Sequence, residues 1–237
     1  LDALRNEMRK KGISAFIVPG TDPHLSEYSA EHWKARGWIS GFNGSAGTAV
    51  ITTDKAGLWT DSRYFLQAAQ QLKDSGFDLF KDGLPETPAI NDWLITELPA
   101  GSVIAVDGTL FSAAEARNMK QLFEDSELKF ISDFTPFNTI WADRPKIPDN
   151  KLFIHNEKFS GESVDNKVNR VLEQVRKNKA TSTLLAALDE IAWVFNVRGS
   201  DVECNPVVIC YAFLSDTQRI LFIDSQKLTE ASTAYLK

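Results

Sequence analysis

The stretch Gly41–Gln67, GFNGSAGTAVITTDKAGLWTDSRYFLQ, decides how the rest of the chain is read. Gly41, Gly44 and Gly47 punctuate its start, where the backbone can take positive φ or approach another group closely. Gly47–Thr53 follows as a strand centred on Val50 and Ile51. Asp54-Lys55-Ala56-Gly57 is a hairpin signal, with Gly57 suited to the left-handed position, and Leu58-Trp59-Thr60 is the returning strand. Asp61 or Ser62 then caps a helix. Phe65, Ala68, Ala69 and Leu72 give that helix one apolar face, and Gly76 ends it. Arg63 falls in the first turn of this expected helix, where the helix dipole disfavours a cation. Two readings of Arg63 follow: a local ion pair with Asp61, or a cation aimed at an anionic or carbonyl-bearing group outside the helix.

Working outward, strand and helix patterns alternate. Leu1, Leu4 and Met8 mark a first helix stopped by Gly12, and Ala15–Val18 is a short buried strand. Pro19–Tyr28 is an irregular polar loop, and residues 29–36 read as a helix. Beyond the central stretch, Phe77–Phe80 and Val103–Val106 read as strands, as does Leu128–Ile131. Thr87-Pro88 reads as a helix start, with Ile90, Trp93 and Leu94 in register. Ser112-Ala-Ala-Glu115 is a capping box. Strands alternating with helices around one hairpin predict an α/β domain with a mixed sheet.

The pattern changes in the 136–150 region, where Pro136, Pro145 and Pro148 replace periodicity. This places a first domain at 1–135, a linker at 136–150 and a second domain at 151–237. Trp141 packs the linker onto one of its neighbours. In the second domain Val164, Val168, Val171, Leu172 and Val175 stripe a helix, and Thr183–Leu185 is a strand. Leu188, Ile191, Ala192 and Phe195 make a helix closed by Gly199. Val207–Phe213 and Ile220–Ile223 make a hairpin, and a last helix starts near Ser225. The second domain repeats the plan of the first and stops short of it, so its sheet is expected to be incomplete and the chain to be a fragment.

Composition narrows the function. The sequence has 237 residues, 43% apolar and 24% charged, with a net charge of −6. That balance is globular and argues against a nucleic-acid surface. No stretch approaches a membrane span, and no basic-plus-apolar leader opens the sequence. Cys204 and Cys210 read as buried thiols rather than a disulfide framework.

The chemistry-bearing residues form no catalytic set. Asn43-Gly44-Ser45-Ala46-Gly47 lacks the first glycine of a serine nucleophile elbow, and a strand follows where the elbow needs a helix. Gly41, Gly44 and Gly47 match neither a phosphate loop nor a dinucleotide fingerprint. His24, His32 and His155 lie in no His-Glu-x-x-His pattern. Asp22 and His24 offer two metal ligands where a catalytic zinc needs three, so no metal site is expected here. Asp189 and Glu190 are adjacent on a helix and face apart.

Several blocks, in order, resemble one family. GFNGSAGTAVIT and LWTDSRYFLQA are joined by Asp22–Tyr28 (DPHLSEY), Ile140–Pro145 (IWADRP), Ala187–Trp193 (ALDEIAW) and Phe195–Asp201 (FNVRGSD). Together they resemble the N-terminal part of the Xaa-Pro aminopeptidases, relatives of creatinase and prolidase, and look most like the long, three-domain, cytosolic type. The resemblance implies two consecutive creatinase-N-like domains, each a mixed β-sheet flanked by helices, the second incomplete. It implies a metallopeptidase that cleaves the bond between an N-terminal residue and proline. The family's dinuclear site, two aspartates, a histidine and two glutamates holding manganese or zinc, belongs to a C-terminal pita-bread domain that this sequence lacks, so no catalytic or metal-binding residue is expected here. The family's Thr-Asp-x-Arg-Tyr block makes Arg63 a substrate-binding residue, with His24 a second candidate on the same rim. Further implications are a peptide substrate with proline second, rim shaping and homodimerisation by this part, and a cytoplasmic setting. The alternative is a non-catalytic peptide- or histone-binding module of a pita-bread pseudo-enzyme.

Overall fold

The computed structural model describes Leu1–Lys237 and divides into two compact units, Leu1–Pro145 and Lys146–Lys237. The first unit starts with α1 (Asp2–Lys10) and β1 (Ala15–Val18). A 3-10 turn at Glu31–Trp33 leads into α2 (Ala35–Ser40), followed by the hairpin β2 (Thr48–Thr52) and β3 (Ala56–Thr60). Then come α3 (Phe65–Gln71), β4 (Asp78–Lys81), α4 (Ile90–Glu97), β5 (Val103–Val106), α5 (Ala113–Asp125), β6 (Lys129–Ile131) and α6 (Phe137–Ile140). The six strands form one sheet in the order β4-β3-β2-β1-β5-β6, with β2 antiparallel to both its neighbours and the remaining pairs parallel. This is the mixed sheet that the alternating pattern predicts.

The sheet is covered on both faces. Phe16, Ile51 and Leu58 pack with Leu4, Met8 and Leu72 on one side. Ile17, Val50 and Trp59 pack with Trp93, Leu94 and Phe123 on the other. Each such side chain contributes roughly 1.5–3 kcal/mol on full burial. The capping box at Ser112 and Glu115 forms as expected and starts α5. Phe137 and Trp141 pack in the core of the first unit.

The second unit contains β7 (Phe153–Ile154), α7 (Glu157–Ser160), α8 (Val164–Lys177), β8 (Ser182–Leu185), α9 (Leu188–Val194), β9 (Val197–Arg198), β10 (Tyr211–Ser215), β11 (Arg219–Phe222) and α10 (Glu230–Tyr235). Its main sheet has three strands in the order β11-β10-β8, both pairs antiparallel, and β7 pairs separately with β9. Its core gathers Val168, Leu172, Ile191, Val208 and Leu214. No helix is long and apolar enough to cross a membrane.

Several local expectations need correcting. Gly57 is not a turn residue but the second residue of β3, paired with Val50. The hairpin closes one step earlier: the Thr52 N–H donates to the Lys55 carbonyl at 2.9 Å, and the Lys55 N–H donates to Thr52 Oγ1 at 2.9 Å. A threonine side chain thus does what a left-handed glycine was expected to do. The α3 cap at Asp61 or Ser62 is absent, because α3 begins at Phe65 after Tyr64. The Asp61 carboxylate is used by Arg63 instead. Ala69 lies on the exposed side of α3, and α3 ends at Gln71, with Leu72 as its C-cap, before Gly76. Thr87-Pro88 does not start α4; the Pro88 carbonyl accepts the Trp59 indole N–H at 2.9 Å, and the helix begins at Ile90.

In the second unit α9 ends at Val194, capped by Phe195, rather than at Gly199, since Asn196 takes the left-handed turn at φ 49°. Val207–Cys210 lies outside the ladder, which starts at Tyr211, and the Ile209 N–H donates to Asp201 Oδ2 at 2.8 Å. Ser225 opens a 3-10 turn, and the last helix starts at Glu230. Cys210 is buried, which pushes its thiol up to about 12, but Cys204 is exposed, against the expectation of two buried thiols.

Gly57 has a packing role. A Cβ there would lie 2.6 Å from both Phe80 Cε2 and Trp59 Cζ3, the rings of a stacked pair with centroids 3.9 Å apart. Gly57→Ala is expected to force that stack apart and cost about 1–3 kcal/mol, the range for overpacking a core. Urea unfolding of the variant against the parent checks this; an unchanged midpoint would show that the stack yields freely.

Candidate functional site

The glycine turn is built around a residue that the sequence reading passed over. Arg36, on α2, is buried. Its Nη1 donates to the Gly47 carbonyl at 3.0 Å, and its Nη2 donates to the Gly44 carbonyl. Its guanidinium carbon lies 5.1 Å from the Phe42 ring centroid. No carboxylate faces it, and its buried Nε has no hydrogen-bond partner. Burial therefore pushes its pKa down to about 10. The glycines make room for this arrangement: a Cβ on Gly44 would lie 2.3 Å from the Phe42 ring, and one on Gly47 2.7 Å from the Trp59 carbonyl. A lone arginine on a six-residue helix carries no sequence signal for this role.

The turn in its place positions the next segment. The Ser45 hydroxyl bonds the Tyr64 hydroxyl at 2.7 Å, which lowers the Tyr64 pKa. Asn43 Oδ1 accepts from Gln67 Nε2 and Gln71 Nε2, each at 2.8 Å, tying the turn to α3. Arg63 stands in the tight turn just before α3, exposed, not inside the helix as expected from its place in the sequence. Its Nε donates to Asp61 Oδ1 at 3.0 Å and its Nη2 to Asp61 Oδ2 at 2.8 Å. This fork raises the Arg63 pKa and lowers that of Asp61. The ion-pair reading of Arg63 thus describes its conformation here. Asp61 also lines a cleft of about 460 Å³ with Trp59, Thr60, Asp82, Asn91 and Phe111.

His24 is buried in the loop that follows β1. Asp22, also buried, organises that loop: its Oδ1 accepts the N–H of His24 at 2.9 Å and of Ser26 at 3.0 Å. The Thr21 hydroxyl donates to the Leu110 carbonyl at 3.0 Å and pins the loop further. Asp22 is thus a backbone cap, which does not fit a metal ligand. No three of the His, Cys, Asp and Glu side chains gather to hold a metal ion. In the second unit Asp189 and Glu190 are exposed, and Trp193 is half exposed.

The fold defines a tandem of α/β units, the first built on a mixed six-stranded sheet and the second on antiparallel sheets of three and two strands. Family models for the creatinase/prolidase N-terminal domain match residues 1–137 and 143–237, and the chain belongs to that family. Among its relatives is a probable Xaa-Pro aminopeptidase P of Coprinopsis cinerea, 41% identical over 238 residues, covering 100% of this chain and 38% of the relative. Xaa-Pro aminopeptidase 2 of Homo sapiens is 38% identical over 240 residues, covering 100% of this chain and 35% of that protein. The solved X-prolyl aminopeptidase of Caenorhabditis elegans, described as a cytosolic enzyme with a di-nuclear active site, superposes with a TM-score of 0.90 at 33% identity, covering 94% of this chain and 37% of that one. The chain therefore spans less than two-fifths of the length of these relatives.

Arg36 provides the test of how the turn is held. Arg36→Met removes the donors to two carbonyls and is expected to cost about 1–3 kcal/mol, the penalty for buried groups left unpaired. Arg36→Lys restores only part, because one ammonium cannot span two carbonyls as a planar fork does. Chemical denaturation of the three proteins measures this. Equal midpoints would mean that the turn holds itself.

Proposed function

We propose that this chain is the N-terminal, non-catalytic part of a metal-dependent Xaa-Pro aminopeptidase, a hydrolase of the peptide bond between an N-terminal residue and proline. The observation that carries this reading is identity of 38–42% to named Xaa-Pro aminopeptidases over nearly the whole chain. The divalent metal, manganese or zinc, would be held outside these residues. Its chemistry there is activation of water and polarisation of the scissile carbonyl. The partner is a peptide with proline second, the assembly a homodimer and the setting cytoplasmic, in keeping with the di-nuclear cytosolic relative. The domain division proposed is 1–135 and 151–237 with 136–150 between them.

Arg63 and His24 are the substrate-binding residues of this reading, at the rim. What supports Arg63 is geometry. Asp61 takes the Nε and Nη2 side of the guanidinium, so the fork is held in one orientation while its Nη1 end remains for a peptide carbonyl or carboxylate. Preorganisation by Asp61 reconciles the two sequence readings, since an ion pair and a substrate contact use different edges of the same group.

Two outcomes test this. The 237-residue chain alone, with added Mn²⁺ or Zn²⁺, should release no amino acid from an Xaa-Pro tripeptide, whereas the full-length enzyme should do so and stop when chelated. In the full-length enzyme Arg63→Ala should lower kcat/KM roughly ten- to a hundredfold. The melting temperature should move by no more than about 1–2 °C, because an exposed ion pair contributes little. A lower melting temperature with unchanged kinetics would make Arg63 a structural partner of Asp61 and nothing more.

A further inference from the structure

All strands of the first unit's sheet except β2 run the same way, so the carboxyl ends of β1, β3, β4, β5 and β6 lie along one edge. Open α/β sheets bind their ligands in the crevice outside such ends. The cleft beside Asp61 occupies that place. Ile17 and Trp59, both buried, form its floor. Ile90 at the start of α4, Phe111 beyond β5 and Met119 on α5 are its half-buried apolar walls. Its volume of about 460 Å³ falls within the roughly 300–1,000 Å³ of small-ligand pockets.

The charged groups of the cleft have one sign. Thr60 pairs with Lys81 at the end of the parallel β3–β4 ladder, and the Asp82 N–H donates to the Thr60 carbonyl at 2.9 Å. Asp61 and Asp82 therefore leave adjacent strands at neighbouring positions, and both line the cleft. Like charges placed side by side across a sheet are unfavourable without a cation to share. Asp61 has Arg63, whereas the Asp82 carboxylate pairs with no cation of the chain, and no lysine or arginine lines the cleft. Asp61 also keeps capacity. A carboxylate offers about four acceptor sites. Its Oδ1 accepts from the Arg63 main-chain N–H and Nε and its Oδ2 from Nη2, so Oδ2 has a site left.

We propose that this cleft binds a basic side chain of a peptide, lysine or arginine, with its head at Asp82 and Asp61 and its aliphatic stem between Ile90, Phe111 and Met119. Long basic side chains bury the stem on apolar surface and keep the head among polar groups. Two carboxylates repel an anionic head, and an uncharged apolar group leaves Asp82 without a partner. That the peptide is a substrate rests on the Xaa-Pro aminopeptidase reading. Only one residue precedes the bond that an aminopeptidase cuts, and the metal that cuts it is held outside these residues. The basic residue in the cleft is therefore one beyond the proline. Asp61 joins the two contacts, holding Arg63 for the peptide main chain and lining the cleft for the side chain.

Two arms on the full-length protein separate the cleft from the enzymatic reading. The first is hydroxyl-radical footprinting, dose-normalised by a reporter peptide, with Nα-acetyl-lysine amide as the probe; its blocked amine keeps it from being a substrate. Labelling of Met119 and Phe111 should fall as the probe saturates, and the protection should be lost in Asp82→Asn. The uncharged Nα-acetyl-norleucine amide should need roughly tenfold more to protect, the scale of one hydrogen bond to a charged group. The second arm compares Ala-Pro peptides with lysine or norleucine at the third, fourth or fifth position. At one of these, lysine should raise kcat/KM roughly tenfold through KM, and Asp82→Asn should bring that ratio to about one. Equal protection by the two probes, or protection that survives Asp82→Asn, overturns the site. Lysine-specific protection with a ratio of one at all three positions overturns the assignment to substrate. Cleavage of none of the peptides sinks the aminopeptidase reading, and the footprint alone then decides the cleft.

Discussion

A sheet whose strands are apolar on both sides has to be covered on both sides. Every residue of β1 and β3 is buried, and four of the five in β2 are. Successive side chains of a strand point to opposite faces, so one layer of helices cannot bury such a strand. The rest of the first unit follows from this constraint. The crossovers between parallel strands supply helices to both faces, and Phe134, Phe137 and Trp141 complete one of them. The second unit meets the constraint on one face only, with Leu184, Ile220 and Phe222 on the other.

Placed within that frame, the glycine turn links the hydrophobic core to the candidate site. Arg36 carries a charge into the interior without a counter-ion, a placement that is costly unless its donors are used. Two carbonyls of the turn and the face of Phe42 meet that cost in part, and the lowered pKa of the guanidinium records the remainder. The result is a turn anchored from within at the entrance to β2. Tyr64 is tied to it through Ser45, and the neighbouring Arg63 is held by Asp61.

The second unit solves a comparable problem with other residues. Lys167, buried on α8, donates to the Trp193 carbonyl at 3.0 Å and to Asn196 Oδ1 at 2.6 Å, with its ammonium 4.6 Å from the Trp193 ring centroid. A cation at the C-terminal end of α9 suits the helix dipole. Asp201 and Lys227 form a buried pair at 2.6 Å, though Asp201 Oδ1 keeps no partner. Buried pairs of this kind add little net stability, but losing one partner is expensive, so they fix the path of Val207–Cys210 more than they strengthen it.

The sequence by itself determined the order of the longer elements, the mixed sheet of the first unit, the capping box at Ser112 and the family, because these rest on local periodicity and on motifs that survive as strings. It also singled out Arg63 and its nearest partner, since Asp61 is two residues away. Tertiary structure alone decided the rest. Whether Gly57 turns the chain or clears space for Trp59 and Phe80 depends on a ring from another strand. Asp61 and Thr87 look like caps until Arg63 takes the first and Trp59 holds the chain beside the second. Arg36 is an ordinary surface arginine in the string and becomes a buried anchor only when the turn folds over it. Burial and hydrogen-bond partners are set by residues distant along the chain, and no local pattern encodes them.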